Sequence, residues 1–153
     1  MYVIIRLRGS VNTKPQIKDT LHMLRLNQIN HCVVVDETPN YKGMIQIVKD
    51  YVAFGQINAE TLGLLLEHRG KLIGGASLTD EYVAANSKFK TIKEFATAVA
   101  NGEARLGDLP NLNVVFRLHP PRKGHAGLKR TFQQGGALGN YGEDICKLVE
   151  KMR

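Results

Sequence analysis

Within the first 57 residues the apolar pattern changes period four times, and that order of periods restricts the fold more than any figure of composition. In YVIIRLR, residues 2–8, Val3, Ile5 and Leu7 point one way and Tyr2, Ile4, Arg6 and Arg8 the other. That is the two-residue repeat of a strand whose second face is partly covered. Gly9 ends it. Thr13 is placed to cap a helix that has Lys14 and Pro15 in its first two positions and Gln16 completing a capping box. Ile17, Leu21, Leu24 and Gln28 mark that helix's face. HCVVVDE, rich in β-branched residues, is a second strand. Thr38-Pro39-Asn40 breaks the chain, after which Tyr41, Met44, Ile45 and Val48 carry the stripe of a short second helix. YVAFGQI is a third strand with Gly55 inside it.

Three strands alternating with two helices over so short a span make a two-layer α/β (α+β) unit with both helices on one face of the sheet. The short connections favour a split β-α-β core related to the ferredoxin-like fold. A Rossmann half needs a glycine fingerprint after its first strand, and RLRGSVNTKP has one glycine. Val34 and Ile45 are expected in the core, where alanine would cost a few kcal/mol. Residues 1–57 are therefore one unit, and residues 58–153 a mainly helical C-terminal extension. In the extension Asn58 caps a helix bearing Leu62, Leu65 and Leu66 that stops at Gly70, and KLIGGASL is a turn-rich link. Short helices follow Thr79 and the Thr91–Glu94 capping box. These helices are too few to stand alone and should pack on the first unit. NVVFRLH is a fourth strand and 142–152 a closing helix. Residues 119–141 between them show no period; loops that long in a compact chain usually have a task.

Charge is distributed unevenly. Of the 21 basic and 14 acidic residues, 109–153 hold eight and three, and nothing acidic occurs between Asp108 and Glu143. That acid-free stretch carries Arg117, Arg122, Lys123, Lys129 and Arg130, a one-signed field that repels itself unless solvated or met by a polyanion. No apolar run approaches the roughly 18 residues of a membrane span, and no basic amphipathic helix suits a lipid surface. Arg6 and Arg8 interrupt the N-terminal apolar run, unlike a signal peptide. Cys32 and Cys146 lack metal or redox spacing and read as two buried thiols in a reducing, cytoplasmic compartment.

Catalysis finds little support. His31 and Cys32 are adjacent and so face opposite sides of a strand. Asp36 and Glu37 end the second strand, where a phosphate-handling enzyme could use them, but the other carboxylates are scattered. GHAGLKR lacks the strand-to-helix setting and the Lys-Ser/Thr pair of a P-loop. His119 and His125 have no third ligand, so neither a metal nor another cofactor is expected.

A polyanion remains. In HPPRKGHAGLKR, His119 to Arg130, cations release counterions from phosphates, and Gly124 and Gly127 allow close backbone approach. Pro120-Pro121 stiffen the exit from the strand and hold the cations away from the body. His125 and Phe132 are suited to stack on unpaired bases, which favours RNA. DNA is disfavoured because no recognition helix or zinc finger is present. Arg6, Arg8, Lys14, Lys18, Lys42 and Lys49 offer a second surface. A basic protein-interaction module is the rival reading, and would require the loop to pack on the body with its cations buried in pairs.

The segments INHCVVVDETPNYKGMIQIVKDYVAFGQI, LLLEHRGKLIGG, LTDEYV, FRLHPPRKGHAGLKR and GGALGNYGEDI, in this order and spacing, resemble the L-thirty family of large-subunit ribosomal proteins in its long archaeal form. Bacterial members end near the third strand, and eukaryotic members carry a basic arm that this sequence does not show. The resemblance implies a non-catalytic protein, monomeric within the ribosome, that binds large-subunit ribosomal RNA beside neighbouring ribosomal proteins. It also implies that the added C-terminal region extends the RNA contacts. Arg6 and Arg8 fit the family's RLRG; Thr38, Gly43, Lys49, Asp50 and Tyr51 fit the signature of the second helix. Arg117, His119, Arg122, Lys123, His125, Lys129 and Arg130 fit its basic loop.

Overall fold

The computed structural model describes residues 1–153. One sheet holds β1 (Tyr2–Arg6), β2 (His31–Val35), β3 (Val52–Gln56), β4 (Val115–Arg117) and β5 (Gly139–Gly142), in the order β4-β2-β1-β3-β5. The helices are α1 (Pro15–Met23), α2 (Pro39–Val48), α3 (Ala59–Arg69), α4 (Asp80–Asn86), α5 (Ile92–Ala100) and α6 (Ile145–Met152). β1 is antiparallel to both of its neighbours, with Tyr2 opposite Val35 on one side and Gln56 on the other. β2 and β3 therefore run the same way with β1 between them, the split β-α-β arrangement closed by α2.

The pleat of β1 sends successive side chains into two separate cores. Ile4 joins Leu21, Leu24, Ile45, Val48 and Phe54 in a cluster of nine buried residues under α1 and α2. Val3, Ile5 and Leu7 join a cluster of 28 on the other face, built largely from α3, α5 and α6. On the first face Val3 and Ile5 are 0% exposed; on the second Ile4 and Arg6 are buried while Tyr2 and Arg8 are only half-buried, so that face is covered in part, as expected. The C-terminal helices do pack on the first unit, and β4 and β5 extend its sheet at both edges. Ile45 is buried as expected, whereas Val34 is only half-buried, because the three-residue β4 pairs with β2 only as far as Val33.

Several local expectations change. Pro15 is the first residue of α1, and the residue before a proline is pushed to extended backbone, so Lys14 takes the cap position at ψ 142°. Thr13 is thereby one residue too early to cap; its hydroxyl is buried with no hydrogen-bond partner, and the capping box with Gln16 does not form. Gln28 lies beyond the helix and is exposed. Thr38-Pro39-Asn40 begins α2 instead of breaking the chain: Thr38 Oγ1 accepts from Tyr41 N at 3.4 Å, and Pro39 fills the first turn, where no amide is needed. Asn58, Thr79 and Thr91 cap α3, α4 and α5 as expected. Glu94, however, accepts from Lys90 N and not from Thr91 N.

The closing helix starts at Ile145, because residues 139–142 form β5, parallel to β3. Gly55 is what lets that strand and α6 approach. A Cβ there would stand 2.2 Å from the Gly142 carbonyl oxygen and 2.9 Å from Ile145 Cβ.

The strand directions have one consequence for the surface. β1 and β4 end, and β2, β3 and β5 begin, at the same end of the sheet. The segment leaving β4 at one edge must therefore cross to β5 at the opposite edge. It does so pinned, not extended. His119 N donates to Met152 O at 2.9 Å and Arg122 N to Lys151 O at 3.1 Å, so the segment satisfies carbonyls at the end of α6. Farther on, Ala137 N donates to Gly127 O and Phe132 N to Leu138 O, and Ala137 and Leu138 are buried. Pro121 is buried too, so the prolines turn the chain onto the body instead of holding it away.

Candidate nucleic-acid interface

Two ion pairs are present, Glu37–Lys42 at 2.8 Å and Asp144–Lys147 at 2.7 Å. Neither touches the acid-free stretch. Arg117, Arg122, Lys123, Lys129 and Arg130 are all exposed without a carboxylate partner. The loop thus meets half of the condition for a protein-interaction module: it packs on the body, but its cations remain in solvent. Lys123, at φ 70°, and Gly124, at φ 74°, form the left-handed corner that turns the loop. His119 is exposed beside Arg117. His125 is half-buried, and burial pushes its pKa below the ordinary imidazole value.

Arg6 does not belong to the exposed set. It is 4% exposed, and its guanidinium donates to Arg8 O at 2.9 Å, Leu26 O at 2.7 Å and Asn27 O at 2.8 Å. The strand's alternation placed it correctly on the second face, but the turn after α1 folds over that face. Burial also lowers its pKa from the usual arginine value. Arg8 lies at the rim, 5.0 Å over the Tyr51 ring, and donates to Asp50 O at 3.2 Å. Lys14 and Lys18 are exposed near the start of α1.

Lys42 and Gln46 on the exposed side of α2, and Lys49 and Asp50 just past its end, line a hollow with Phe132, Gln133 and Asn140. The structure thus joins the helix of the first unit to the far half of the basic segment. Phe132 differs from its expected role in one respect: it stacks on Tyr141, with centroids 4.0 Å apart and planes at 25°. One ring face is accordingly used within the protein.

Two groups of cations had escaped sequence reading. Arg69 and Lys71 approach Arg117 and His119 around a second hollow, and Lys147 and Lys151 of α6 line a third with His125. The first two sit in a neutral stretch of sequence and the others on an amphipathic helix, so only the fold reveals their neighbours. The acidic corner offers no comparable cluster. The groove that holds Asp36 contains no histidine, while Glu37 is tied to Lys42 and to Tyr2 Oη, which hold its pKa below the usual carboxylate range. Cys32 is buried as expected and its pKa is raised, so it is inert as a nucleophile, whereas Cys146, expected to be buried too, is only half-buried near the start of α6. No group of three or more His, Cys, Asp or Glu residues is placed to hold a metal ion, and no helix is long and apolar enough to cross a membrane.

A split β-α-β sheet crossed at one end by a pinned, acid-free segment of exposed cations defines a basic α/β protein with a cationic surface. Sequence comparison narrows the class. The family described as ribosomal protein L30p/L7e matches residues 2–52, from β1 to the start of β3. Along its whole length the chain is 74% identical to large ribosomal subunit protein uL30 of Methanocella arvoryzae, covering 100% of both sequences. Identity is 58% with uL30 of Methanothrix thermoacetophila and 55% with that of Archaeoglobus fulgidus, again over the full length of both. The chain belongs to the uL30 family of ribosomal proteins.

Proposed function

We propose that this protein is a structural constituent of the large ribosomal subunit, in the cytoplasm, and that it binds ribosomal RNA through two joined surfaces. The first is the crossing segment, with Arg117, His119, Arg122, Lys123, His125, Lys129 and Arg130. The second carries Arg8, Lys14, Lys49 and Lys42, the last exchanging its exposed ion pair with Glu37 for a phosphate. The observation that carries this reading is the row of exposed, unpaired cations on a segment hydrogen-bonded to the end of α6. A cation left without an internal partner is available to a phosphate, and each phosphate neutralised on a duplex releases roughly 0.9 counterions. Because the backbone is already held, RNA binding orders side chains more than chain, which lowers its entropic cost. Residues 58–153 act in this reading as the platform that carries the segment, and the protein enters the particle as a monomer beside other ribosomal proteins.

Ultraviolet crosslinking in a native extract, with sequencing of the attached RNA, tests the assignment. Reads should concentrate in large-subunit ribosomal RNA, with crosslinked peptides from residues 117–140. Reads spread over messenger and transfer RNA in proportion to their abundance would contradict it.

A further inference from the structure

The 71–77 turn, which the sequence marks only as a link, forms a hollow against β4. Lys71 bridges Ser77, and Leu72 bridges Leu112, so the turn is held against the segment leading to β4. The space enclosed is about 530 Å³, within the range of sites that hold a small ligand. Arg69, Lys71, Asn113, Arg117 and His119 line it, and no carboxylate does. Arg69 Nε is buried there without a hydrogen-bond partner, a charged donor that the protein itself leaves unsatisfied. Asn113 Oδ1 accepts from Val115 N at 3.1 Å, which orients the amide and leaves its NH2 group free to donate.

The floor and rim are equally specific. Gly74 and Gly75, at φ 106° and 91°, have open space where a side chain would stand, so backbone is accessible from the hollow. Ile73, at the tip of the turn, is 75% exposed, an apolar surface beside a cationic recess. A duplex flank offers phosphates but no apolar face, whereas a nucleotide displaced from the stack offers both.

We propose that this hollow is a subsite for one backbone phosphate of an unstacked RNA nucleotide. Arg69, Lys71 and Arg117 neutralise the phosphate, and Ile73 packs on the adjoining sugar or base. The proposal rests on the RNA-binding reading above: it gives Arg117, already part of that reading, one particular phosphate, and adds Arg69, Lys71 and Ile73 as contacts outside the 119–130 segment.

Phosphate-ethylation interference on a large-subunit ribosomal RNA transcript, with the full-length protein, locates such a contact. R69Q/K71Q, R122A/K123A and the parent are compared, with a thermal melt on each. K71Q alters a single exposed side chain outside the first RNA surface and serves as the second variant if R69Q/K71Q melts early. The expected result is that R69Q/K71Q loses one or two interference positions in an unpaired stretch while keeping those lost in R122A/K123A. Its log affinity should fall less steeply with log salt, the slope shrinking by about 1. An interference pattern and slope identical to the parent's in a folded R69Q/K71Q or K71Q overturns the subsite and leaves the RNA reading standing. If the parent itself fails to prefer the transcript, the RNA reading falls and the subsite with it.

Discussion

Arg6 closes β1 and Arg8 lies two residues past it, and their roles differ. Arg6 holds the turn after α1 to the sheet through Leu26 O and Asn27 O and also donates to Arg8 O, while Arg8 lies at the rim over Tyr51. Removing a buried charged donor leaves its acceptors unpaired, at about 1–3 kcal/mol for each. Arg6→Ala should therefore lower the free energy of unfolding by at least 3 kcal/mol or so in urea titration, and Arg8→Ala by less than about 1 kcal/mol. Equal, small effects would mean that Arg6 is not committed to the fold. Histidine protonation gives a second test. Burial holds His31 and His125 below the ordinary value of 6.5, with Arg117 adding to the effect at His31. The unfolded chain then binds more protons than the folded one just below pH 6.5, so stability rises with pH across that window. The urea midpoint should drop between pH 7.5 and 5.5, and by less in H31Q/H125Q. An equal drop in parent and variant would assign the pH dependence to other groups.

At the scale of elements, the three central strands and the helices between them were legible because each has a clean period over five or more residues. Ile4, Leu21, Ile45 and Val48 show it directly. What escaped was short or set by partners far along the chain. β5, GNYG, has no apolar alternation and exists because an edge of the central sheet was available to it, whereas β4 was legible in NVVFRLH and only shrinks to three residues. The α1 cap was misplaced by one residue because the proline's effect on its neighbour outweighed the threonine. The basic residues of the candidate surface were legible as charge, but their exposure was not, which is why Arg6 was grouped with Arg8. Gly55 shows how such partner effects can be tested. Its missing Cβ makes room for Gly142 and Ile145, so Gly55→Ala should displace β5 and α6 together. We expect a loss of about 2 kcal/mol or more, in line with overpacking, together with faster amide exchange at Arg122, whose N–H is held by Lys151 O. Unchanged exchange at Arg122 would mean that the segment is held independently of α6. Ile45→Ala should cost about 2–5 kcal/mol, and half-buried Val34→Ala clearly less, by the same titration.

For the whole molecule, the sheet order decides the function. Because β4 and β5 lie on opposite edges and the strands meet the segment at one end, the acid-free stretch must cross the protein, and α6 supplies carbonyls that hold it there. The surface is consequently a fixed array of cations rather than a loose finger, and its binding should depend on salt in proportion to the phosphates it meets. The most direct measurement is the equilibrium affinity for a large-subunit ribosomal RNA transcript as a function of salt, for the parent and for R122A/K123A. Two lost phosphate contacts should reduce the slope of log affinity against log salt by about 1.4 to 1.8, with the melting temperature preserved. A folded double variant with the parent's affinity and slope would show that these exposed cations do not meet RNA.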